Sequence, residues 1–279
     1  MQQTRTPILG LALLVTLGAC SKPEYMSPEV TEAELQLVAL PRSVNLEKVE
    51  RDRVAEAQIV SDAEARLRPA IRDLCLTVSG ETCDFEIELE NDDDTPNAYA
   101  SGERQIVITT GMLQYLETED EVAFVLAHEI GHHMANHIEE GRRNTAVGAL
   151  IGGALLGALA AAGSRDSYNR SANVAQATQL GMQVGAVGGR LSYSKAQERE
   201  ADYLGIYAIE LAGYDTKAAA RVMDRFTQIN PRSARPTSFF GTHPSSIERE
   251  ARALSVKREI EAKRAAGAPI LPNRVPEDG

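Results

Sequence analysis

Apolar and polar positions along the first half of the chain follow two different periods. Between residues 45 and 76, apolar residues recur every three or four positions among many charges, which predicts a helix. Phe85, Ile87 and Leu89 then alternate with three glutamates, the pattern of a half-buried strand. Residues 105–109 predict a second strand. This half of the chain therefore combines a long helix with a small sheet.

The second half of the chain has mainly helical periodicity. A helix is predicted from Thr118, because three acidic residues follow in its first turn, where the helix dipole favours anions. An apolar run continues this helix into the pentapeptide HEIGH. Further helices are predicted at residues 196–211, 216–229 and 246–266. Together with the strands, they predict a mainly helical α+β fold in one main domain of residues 45–267.

One segment of the main domain is unusually poor in polar groups. Residues 145–163 are almost entirely Gly, Ala, Leu, Ile and Val, and their length approaches that of a membrane span. Gly153 and Gly157 are spaced as in closely packed membrane helices. The return segment, however, contains three glutamines. The composition favours a soluble Gly/Ala-rich helical hairpin over residues 145–189, with a membrane span as the alternative.

The N-terminus has the pattern of a bacterial lipoprotein signal peptide over residues 1–19. Arg5 provides the positive charge, and residues 7–17 form an apolar stretch too short for a comfortable membrane span. The sequence Leu-Gly-Ala-Cys then ends at Cys20, whose thiol would carry the lipid. The alternative is an ordinary signal peptide that ends near a cysteine. Ser21 follows, and by resemblance to sorted lipoproteins it favours the periplasmic face of the outer membrane over the inner membrane.

The two ends of the mature chain are expected to be extensions of the main domain. We expect residues 20–44 to be a lipidated tether and residues 268–279 to be a flexible tail.

Cys75 and Cys83 are the two cysteines besides Cys20, and in an oxidising envelope they favour a disulfide. A zinc site from this pair is disfavoured, because no histidine or other cysteine lies nearby to complete four ligands.

Composition narrows the partners of the protein. The formal net charge of −11 argues against binding to nucleic acid, whose phosphates would repel the chain. Tryptophan is absent and aromatic residues make up only 5% of the chain, so flat surfaces for stacking sugars or bases are not expected.

The candidate chemistry begins with an HExxH pattern on the predicted helix. His128 and His132 are four residues apart, so both imidazoles project from one helix face. Two ring nitrogens at this spacing can bind one Zn²⁺ at about 2.0–2.1 Å. Glu129 lies outside that arc but can reach a water molecule beside the metal. Two surface histidines on a solvated helix are the alternative for such a short pattern.

A third zinc ligand is needed, because catalytic zinc usually has three protein ligands. His133 and His137 are turned away from His128 on a helix, so outer or surface positions are expected for them. Glu198 and Asp202 share one helix face, whereas Glu200 points away from it. One carboxylate of this pair could bind the metal, while the second could accept a hydrogen bond from a ligating imidazole.

Four segments resemble, in order, the HtpX and CAAX-prenyl-protease family of zinc endopeptidases, especially its small lipoprotein members in bacterial envelopes. The segments are NAYASGERQIVITTGML, AFVLAHEIGHHMANH, YSKAQEREADYLG and THPSSIERE. They span residues 97–250, just over half of the chain. The resemblance implies a gluzincin-type metalloprotease domain that binds one Zn²⁺ per chain, with the edge strand of its small sheet along the zinc cleft. Lys195 departs from the family, which usually has arginine there, and receives no role.

The resemblance also implies the roles of individual residues in the zinc site. His128, His132 and Glu198 would bind zinc, Glu129 would be the general base, and Asp202 would be the carboxylate that supports a ligand.

Substrate contacts are implied by two further segments. The edge strand that pairs with the substrate backbone would contain Asn97, Ala98, Tyr99 and Ala100. His243 and Arg249 would lie near the cleft, either as transition-state stabilisers or as part of a plug over the metal. A surface histidine that caps a helix is the remaining alternative for His243.

Location and resemblance together predict a zinc metalloendopeptidase of the bacterial envelope. Its partners would be unfolded or misassembled envelope proteins, because a strand-pairing groove needs an extended backbone. The alternative is an outer-membrane assembly factor or chaperone with a latent, plugged peptidase site, which would bind the assembly machinery. A membrane-embedded prenyl-protein protease is disfavoured, because no convincing membrane span follows Cys20.

Overall fold

A computed structural model describes residues 24–40, 46–80, 83–163, 170–190, 193–229, 239, 243 and 246–276. The predicted signal peptide and Cys20 lie outside this part of the chain. Its helices are α1 (Glu32–Ala39), α2 (Arg53–Ser79), α3 (Thr110–Leu113), α4 (Glu119–Met134), α5 (His137–Gly163), α6 (Arg170–Arg190), α7 (Lys195–Leu211), α8 (Lys217–Gln228) and α9 (Ile247–Ala265). Its strands are β1 (Glu86–Glu90), β2 (Ala98–Ala100) and β3 (Gln105–Thr109).

The sheet is small and mixed, which confirms the predicted α+β fold. Its strand order is β1-β3-β2, with β1 parallel and β2 antiparallel to the central strand β3. The predicted alternation in β1 is present: its three glutamates are exposed, while Ile87 and Leu89 pack against the core. Strand β3 is buried along most of its length, and β2 is left as an edge strand.

Helix boundaries are set by polar caps. The side chain of Thr118 accepts a hydrogen bond from the backbone N–H of Glu121, so α4 begins where the acidic first turn predicts. Helix α2 begins at Arg53 rather than at residue 45, because the Asp52 side chain accepts a hydrogen bond from the Ala55 N–H. Side-chain caps of this kind are local features that apolar periodicity does not report.

Helix α4 lies at the centre of the core and packs against α2, α7 and α8. All of its residues from Glu121 to His132 are buried. A disulfide joins Cys75 near the end of α2 to Cys83 just before β1, with a Cα–Cα distance of 5.8 Å, and this confirms the predicted pair. Helix α4 is therefore enclosed by neighbouring helices along most of its length.

Both terminal segments pack against the domain, unlike the expected tether and tail. The Tyr25 ring is buried, its hydroxyl donates to the Val78 carbonyl, and Tyr25 bridges to Arg274. Helix α1 packs against α9, where Glu34 accepts hydrogen bonds from Arg258 and Ser255. The described parts of these segments, residues 24–40 and 268–276, thus contribute to the folded unit.

Helices α5 and α6 form a hairpin that packs mainly on itself. Added Cβ atoms at Gly153 and Gly157 would clash with side chains of α6, and one at Gly181 would lie 2.1 Å from the Gly152 carbonyl oxygen. The glycines therefore allow the two helices to touch. Helix α5 starts at His137, eight residues before the start expected from the apolar run, because the charged first turns belong to the same helix. Among the described residues, α5 is long and apolar enough to cross a membrane, judged by length and composition alone.

Candidate metal site

Two glycines bring α4 and α7 into backbone contact. A Cβ atom on Gly131 would lie 2.7 Å from the carbonyl oxygen of Ala201, and one on Gly205 would lie 3.0 Å from the His128 nitrogen. These separations leave no room for side chains between the helices. The face of α7 that carries Glu198 therefore meets the face of α4 that carries His128 and His132.

Four buried side chains converge at this contact: His128, His132, Glu198 and His243. The Nε2 atoms of His128 and His132 are 3.2 Å apart, and Nδ1 of His243 lies 3.2 Å from Nε2 of His128. The Glu198 carboxylate closes the group, with Oε1 at 2.8 Å from Nδ1 of His243 and 3.5 Å from Nε2 of His132. One ligand atom from each residue lies within 4.8 Å of the others.

These separations fit a tetrahedral zinc ion. Four ligands at about 2.0–2.1 Å from zinc lie about 3.3 Å from one another. The four separations given above are 2.8–3.5 Å, and all pairs of ligand atoms lie within 4.8 Å. Chemistry agrees with geometry, because three imidazoles and one carboxylate are typical zinc ligands. The ring nitrogens of His128 and His132 also face each other in a buried space, where a cation between them would relieve the repulsion of their lone pairs.

Asp202 and Arg249 support the ligands from behind. Nδ1 of His128 lies 2.8 Å from Oδ1 of Asp202, which leaves the lone pair of Nε2 directed at the cluster. Arg249 binds Asp202 through two donors at 2.7 and 2.8 Å, and a third nitrogen lies 2.6 Å from Oε2 of Glu198. Arg249 therefore contacts the two carboxylates, rather than extending into the cleft as expected for a group on the reacting carbonyl.

His132 has a different support, which ends at the N-terminal segment. Its Nδ1 lies 3.0 Å from Nδ1 of His137, and Nε2 of His137 lies 3.2 Å from Oε2 of Glu200. The other oxygen of Glu200 accepts hydrogen bonds from the backbone N–H groups of Glu24 and Tyr25 at 2.7 and 2.8 Å. Glu200 points away from the cluster as its helical phase predicts, yet it anchors the outer partner of a candidate ligand.

Glu129 lies between the cluster and the edge strand. Its Oε2 accepts a hydrogen bond from the backbone N–H of Ala100 at 3.0 Å, and its Oε1 is 3.6 Å from Nε2 of His243. Oε1 has no hydrogen-bond partner among the described residues, although it is fully buried. Burial raises the pKa of the Glu129 carboxyl, because the charged form loses solvation.

The pKa values of Glu198 and Asp202 on α7 are shifted in the opposite direction from that of Glu129. Burial alone would raise the pKa values of Glu198 and Asp202, but nearby cations outweigh it. His243 and Arg249 hold the pKa of Glu198 well below its usual value, and Arg249 lowers that of Asp202. Both carboxylates are therefore charged, as a metal ligand and its support require.

The pKa values of His132 and His243 are also shifted in opposite directions. Burial lowers the pKa of His132 well below its usual value, which favours the neutral imidazole that binds metal. Burial opposes protonation of His243 as well, but the adjacent Glu198 and Glu129 raise its pKa.

Aromatic rings surround the cluster. The Tyr193 ring stacks on His132 with centroids 3.7 Å apart, and Phe239 stacks on His243 at 4.6 Å. A small cavity of about 10 Å³, lined by Phe239, Phe226 and Val222 among others, lies beside His243 and His128. The rings exclude water from the site, which strengthens the electrostatic interactions inside it.

The structure brings most of the predicted site residues together. His128, His132, Glu198, Asp202 and Glu129 all lie within the cluster or in contact with it. His243 and Arg249 join them, and Asn97, Ala98, Tyr99 and Ala100 lie along the edge strand beside Glu129.

Sequence reasoning missed three contributors. Tyr193 is the first residue of the segment YSKAQEREADYLG, and an aromatic ring two residues before α7 could have indicated a contact with the cluster. Phe239 lies four residues before His243, a helical spacing that could have marked a pair. The contact of Glu200 with Glu24 and Tyr25 joins positions about 175 residues apart, and no local pattern indicates it.

Comparison with known proteins identifies the family. The model of peptidase family M48 matches residues 62–257, which is more than half of the chain. The chain therefore belongs to peptidase family M48, a family of zinc metallopeptidases. This agrees with the predicted family, and the cluster can hold the one zinc ion expected per chain.

Several relatives share part of their length with this chain. The beta-barrel assembly-enhancing protease of Escherichia coli strain K12 is 31% identical over 167 residues, which cover 57% of this chain and 32% of that protein. The putative protein of the same name from Vibrio cholerae is 30% identical over 158 residues, covering 55% and 31%. The mitochondrial metalloendopeptidase OMA1 of Arabidopsis thaliana is 28% identical over 177 residues, covering 60% and 33%. The matches span about a third of the length of these relatives.

Proposed function

We propose that this chain is a zinc metalloendopeptidase of the bacterial envelope that cleaves unfolded or misassembled envelope proteins. The observation that carries the proposal is the position of Glu129, whose carboxylate lies between the ligand cluster and the backbone of edge strand β2. A base in that position can serve a peptide bond held along the strand. The bacterial relatives are named for β-barrel assembly, which supports a link to the assembly of outer-membrane proteins.

The buried side chains have complementary tasks in this proposal. His128, His132 and Glu198 would hold a zinc ion, which when bound would polarise the scissile carbonyl and acidify the attacking water. Oε1 of Glu129 takes the proton from that water and later gives it to the leaving amine. The raised pKa of Glu129 suits this exchange, because a carboxyl with a very low pKa would be a weak base.

The edge strand explains why the substrate would be extended. Tyr99 pairs with Val107, and in an antiparallel ladder the backbone groups of the residues on either side point the opposite way. The N–H and C=O groups of Ala98 and the C=O of Ala100 therefore face away from β3. Ala98 is fully buried, so strand addition by an unfolded segment would require the groups that cover Ala98 to move. A folded protein has no free backbone to offer for such pairing.

Glu129→Gln tests the proposal. Glutamine has nearly the same shape but does not accept a proton, so we expect cleavage of unfolded casein to be lost while zinc content is unchanged. Glu139→Gln, at an exposed position in the first turn of α5, is the matched control and should cleave at the wild-type rate. Cleavage by Glu129→Gln at the wild-type rate would remove Glu129 as the base.

The proposed location depends on Cys20. A lipid on this thiol would hold the protein on the periplasmic face of the outer membrane, close to newly exported polypeptides. We expect Cys20→Ala to eliminate palmitate labelling of the protein in cells. Unchanged labelling would show that the lipid is carried by another residue.

A second function, a latent assembly factor, is favoured by His243. As a fourth ligand in the cluster, His243 would take the position that catalytic zinc sites leave open for water. His243→Ala should then increase cleavage of unfolded casein. If His243 instead stabilises the transition state, the same variant should lose about 10²–10³-fold in turnover while zinc stays bound. An unchanged rate would exclude both roles.

A further inference from the structure

The outer face of α5 is apolar and exposed along most of its length. Val147, Leu150, Leu155 and Leu159 are between 44% and 70% exposed. Residues 145–163 contain no charged side chain and extend over about 28 Å of helix. An exposed apolar surface of this length is unusual on a soluble protein and marks an interaction site.

The exposed surface of α6 is mixed, because three glutamines lie there together with Leu180 and Val184, which are 53% and 61% exposed. Gln176, Gln179 and Gln183 are all exposed, and their spacing of three and four residues places them on one face of α6. Gly181, by contrast, lies in the seam against α5. The exposed surface of α5 between residues 145 and 163 is thus the more apolar of the two, while α6 adds a row of glutamines, and such a difference between two faces is typical of a helical structure that lies in a membrane–water interface.

Charge separates the hairpin from the rest of the protein. The hairpin, residues 137–190, contains five arginines, two glutamates and one aspartate, a net charge of +2, whereas the whole chain carries −11. Arg142, Arg143 and Arg170 are exposed at the two ends of the apolar stretch. Basic side chains that flank an apolar face are attracted to anionic lipid headgroups, and they contribute little to contacts between apolar protein surfaces.

The start of the chain lies close to the base of the hairpin. Glu200 accepts a hydrogen bond from Glu24 and also contacts His137, the first residue of α5. Cys20 is four residues before Glu24, and so few residues span at most about 14 Å. A lipid on Cys20 would therefore enter a membrane beside the base of α5.

We propose that the hairpin lies in the surface of an anionic lipid membrane, with the α5 face among the acyl chains and the α6 glutamines toward water. The membrane would then contact the protein at two adjacent points, the lipid on Cys20 and the hairpin. A transmembrane arrangement would instead bury the glutamines in hydrocarbon, where unpaired amides cost several kcal/mol each. This inference extends the proposed function but does not depend on peptidase activity.

Tryptophan fluorescence tests the proposal, because the chain contains no tryptophan. Leu155→Trp places one on the apolar face, and Gln179→Trp places one on the glutamine face. Val54→Trp is the control, since Val54 is an apolar residue of α2 that is 77% exposed and lies outside the hairpin. Each full-length lipidated protein is placed in vesicles of equimolar phosphatidylethanolamine and phosphatidylglycerol, with and without bromine on the acyl chains.

We expect the emission of Leu155→Trp to be blue-shifted and quenched at least about twofold by brominated lipid, with no quenching at the two other positions. Equal quenching of Leu155→Trp and Gln179→Trp would indicate a transmembrane hairpin and overturn the in-plane arrangement. A blue shift without quenching would mean that protein, such as a second copy of the chain, covers the face. Red emission without quenching, or quenching of all three variants, would also overturn the proposal. The readout is independent of casein cleavage, so failure of either proposal can be recognised separately.

Discussion

The candidate zinc site and the α5–α6 hairpin both depend on glycines at a helix–helix contact, but the result of the contact differs between them. In both regions glycines let two helices touch, at Gly131 and Gly205 in the first and at Gly153, Gly157 and Gly181 in the second. Around the cluster, further helices enclose the contact, so charged ligands lie in a core. Among the described residues, the hairpin helices contact little besides each other, so their outer faces remain exposed.

The difference shows what close helix packing does and does not provide. Contact between α4 and α7 contributes to function only because Asp202, Arg249 and His137 satisfy the polar groups that it buries. The hairpin seam is equally close but buries no functional group. Any function of the hairpin therefore depends on its exposed surface.

The largest expected effect distinguishes the two regions through metal binding. For Asp202→Asn, which removes the partner of a candidate ligand, we expect zinc affinity to fall about 10–100-fold. Glu198→Ala removes a candidate ligand itself, so its zinc affinity should fall further. Leu155→Gln in the hairpin should leave zinc affinity unchanged. Competition with a zinc chelator measures all three variants. Full affinity in Glu198→Ala would point to a different third ligand.

Removing the disulfide should lower stability without changing the hairpin. Cross-linking the short loop between Cys75 and Cys83 stabilises the fold by about 2–3 kcal/mol, if chain entropy dominates. We expect the double substitution Cys75→Ser and Cys83→Ser to lower the free energy of unfolding by that amount in a denaturant titration. A reducing agent added to the wild type is the matched comparison, and no loss in either case would contradict the prediction.

Adding one methyl group at the α4–α7 contact should affect both stability and the metal site. In Gly131→Ala the new Cβ meets the backbone of Ala201, which does not move easily, so we expect a loss of about 1–3 kcal/mol and weaker zinc binding. Gly141→Ala is the control, because nothing lies within 4 Å of its Cβ position and alanine favours helix by about 1 kcal/mol. Gly181→Ala should disturb the hairpin and leave zinc binding intact. Equal zinc loss in Gly131→Ala and Gly181→Ala would couple the two regions.

The smallest expected effect concerns pH and the docking of α1. Burial alone would raise the pKa of Glu34, but hydrogen bonds from Arg258, Thr31 and Ser255 lower it to about 2. A lowered pKa in the folded state means that this contribution is complete above the unfolded value of about 4.5 and is lost as pH falls toward about 2. The protection factors for hydrogen exchange in α1, which correct for the intrinsic pH dependence of exchange, should therefore fall over that range, and Glu34→Gln should remove the dependence. An unchanged profile in Glu34→Gln would assign it to another group.

Prediction from sequence succeeded where periodicity and local spacing carry the information. Helix α4, the strand alternation of β1 and the shared face of Glu198 and Asp202 on α7 all follow from spacings of two, three and four residues. The disulfide followed from two cysteines in an oxidising compartment. Fold class and the central site are therefore readable from the chain.

Prediction failed where contacts join distant segments or where a cap sets a boundary. Asp52 delays the start of α2, and Tyr25 returns to the domain beside Glu200, so the expected tether is partly structured. Arg249 was expected near the cleft, as a transition-state stabiliser or as part of a plug, and periodicity did not indicate that its guanidinium contacts two buried carboxylates. Such contacts depend on tertiary packing, which a single sequence does not specify locally.

The central claim is that His128, His132, Glu198 and His243 form one zinc site with His243 as a displaceable fourth ligand. Zinc K-edge X-ray absorption of the isolated protein tests it most directly, with His243→Ala as the comparison. The account predicts three imidazoles and one carboxylate around zinc in the wild type, and two imidazoles, the carboxylate and a water in His243→Ala. An identical set of ligands in both proteins would contradict it.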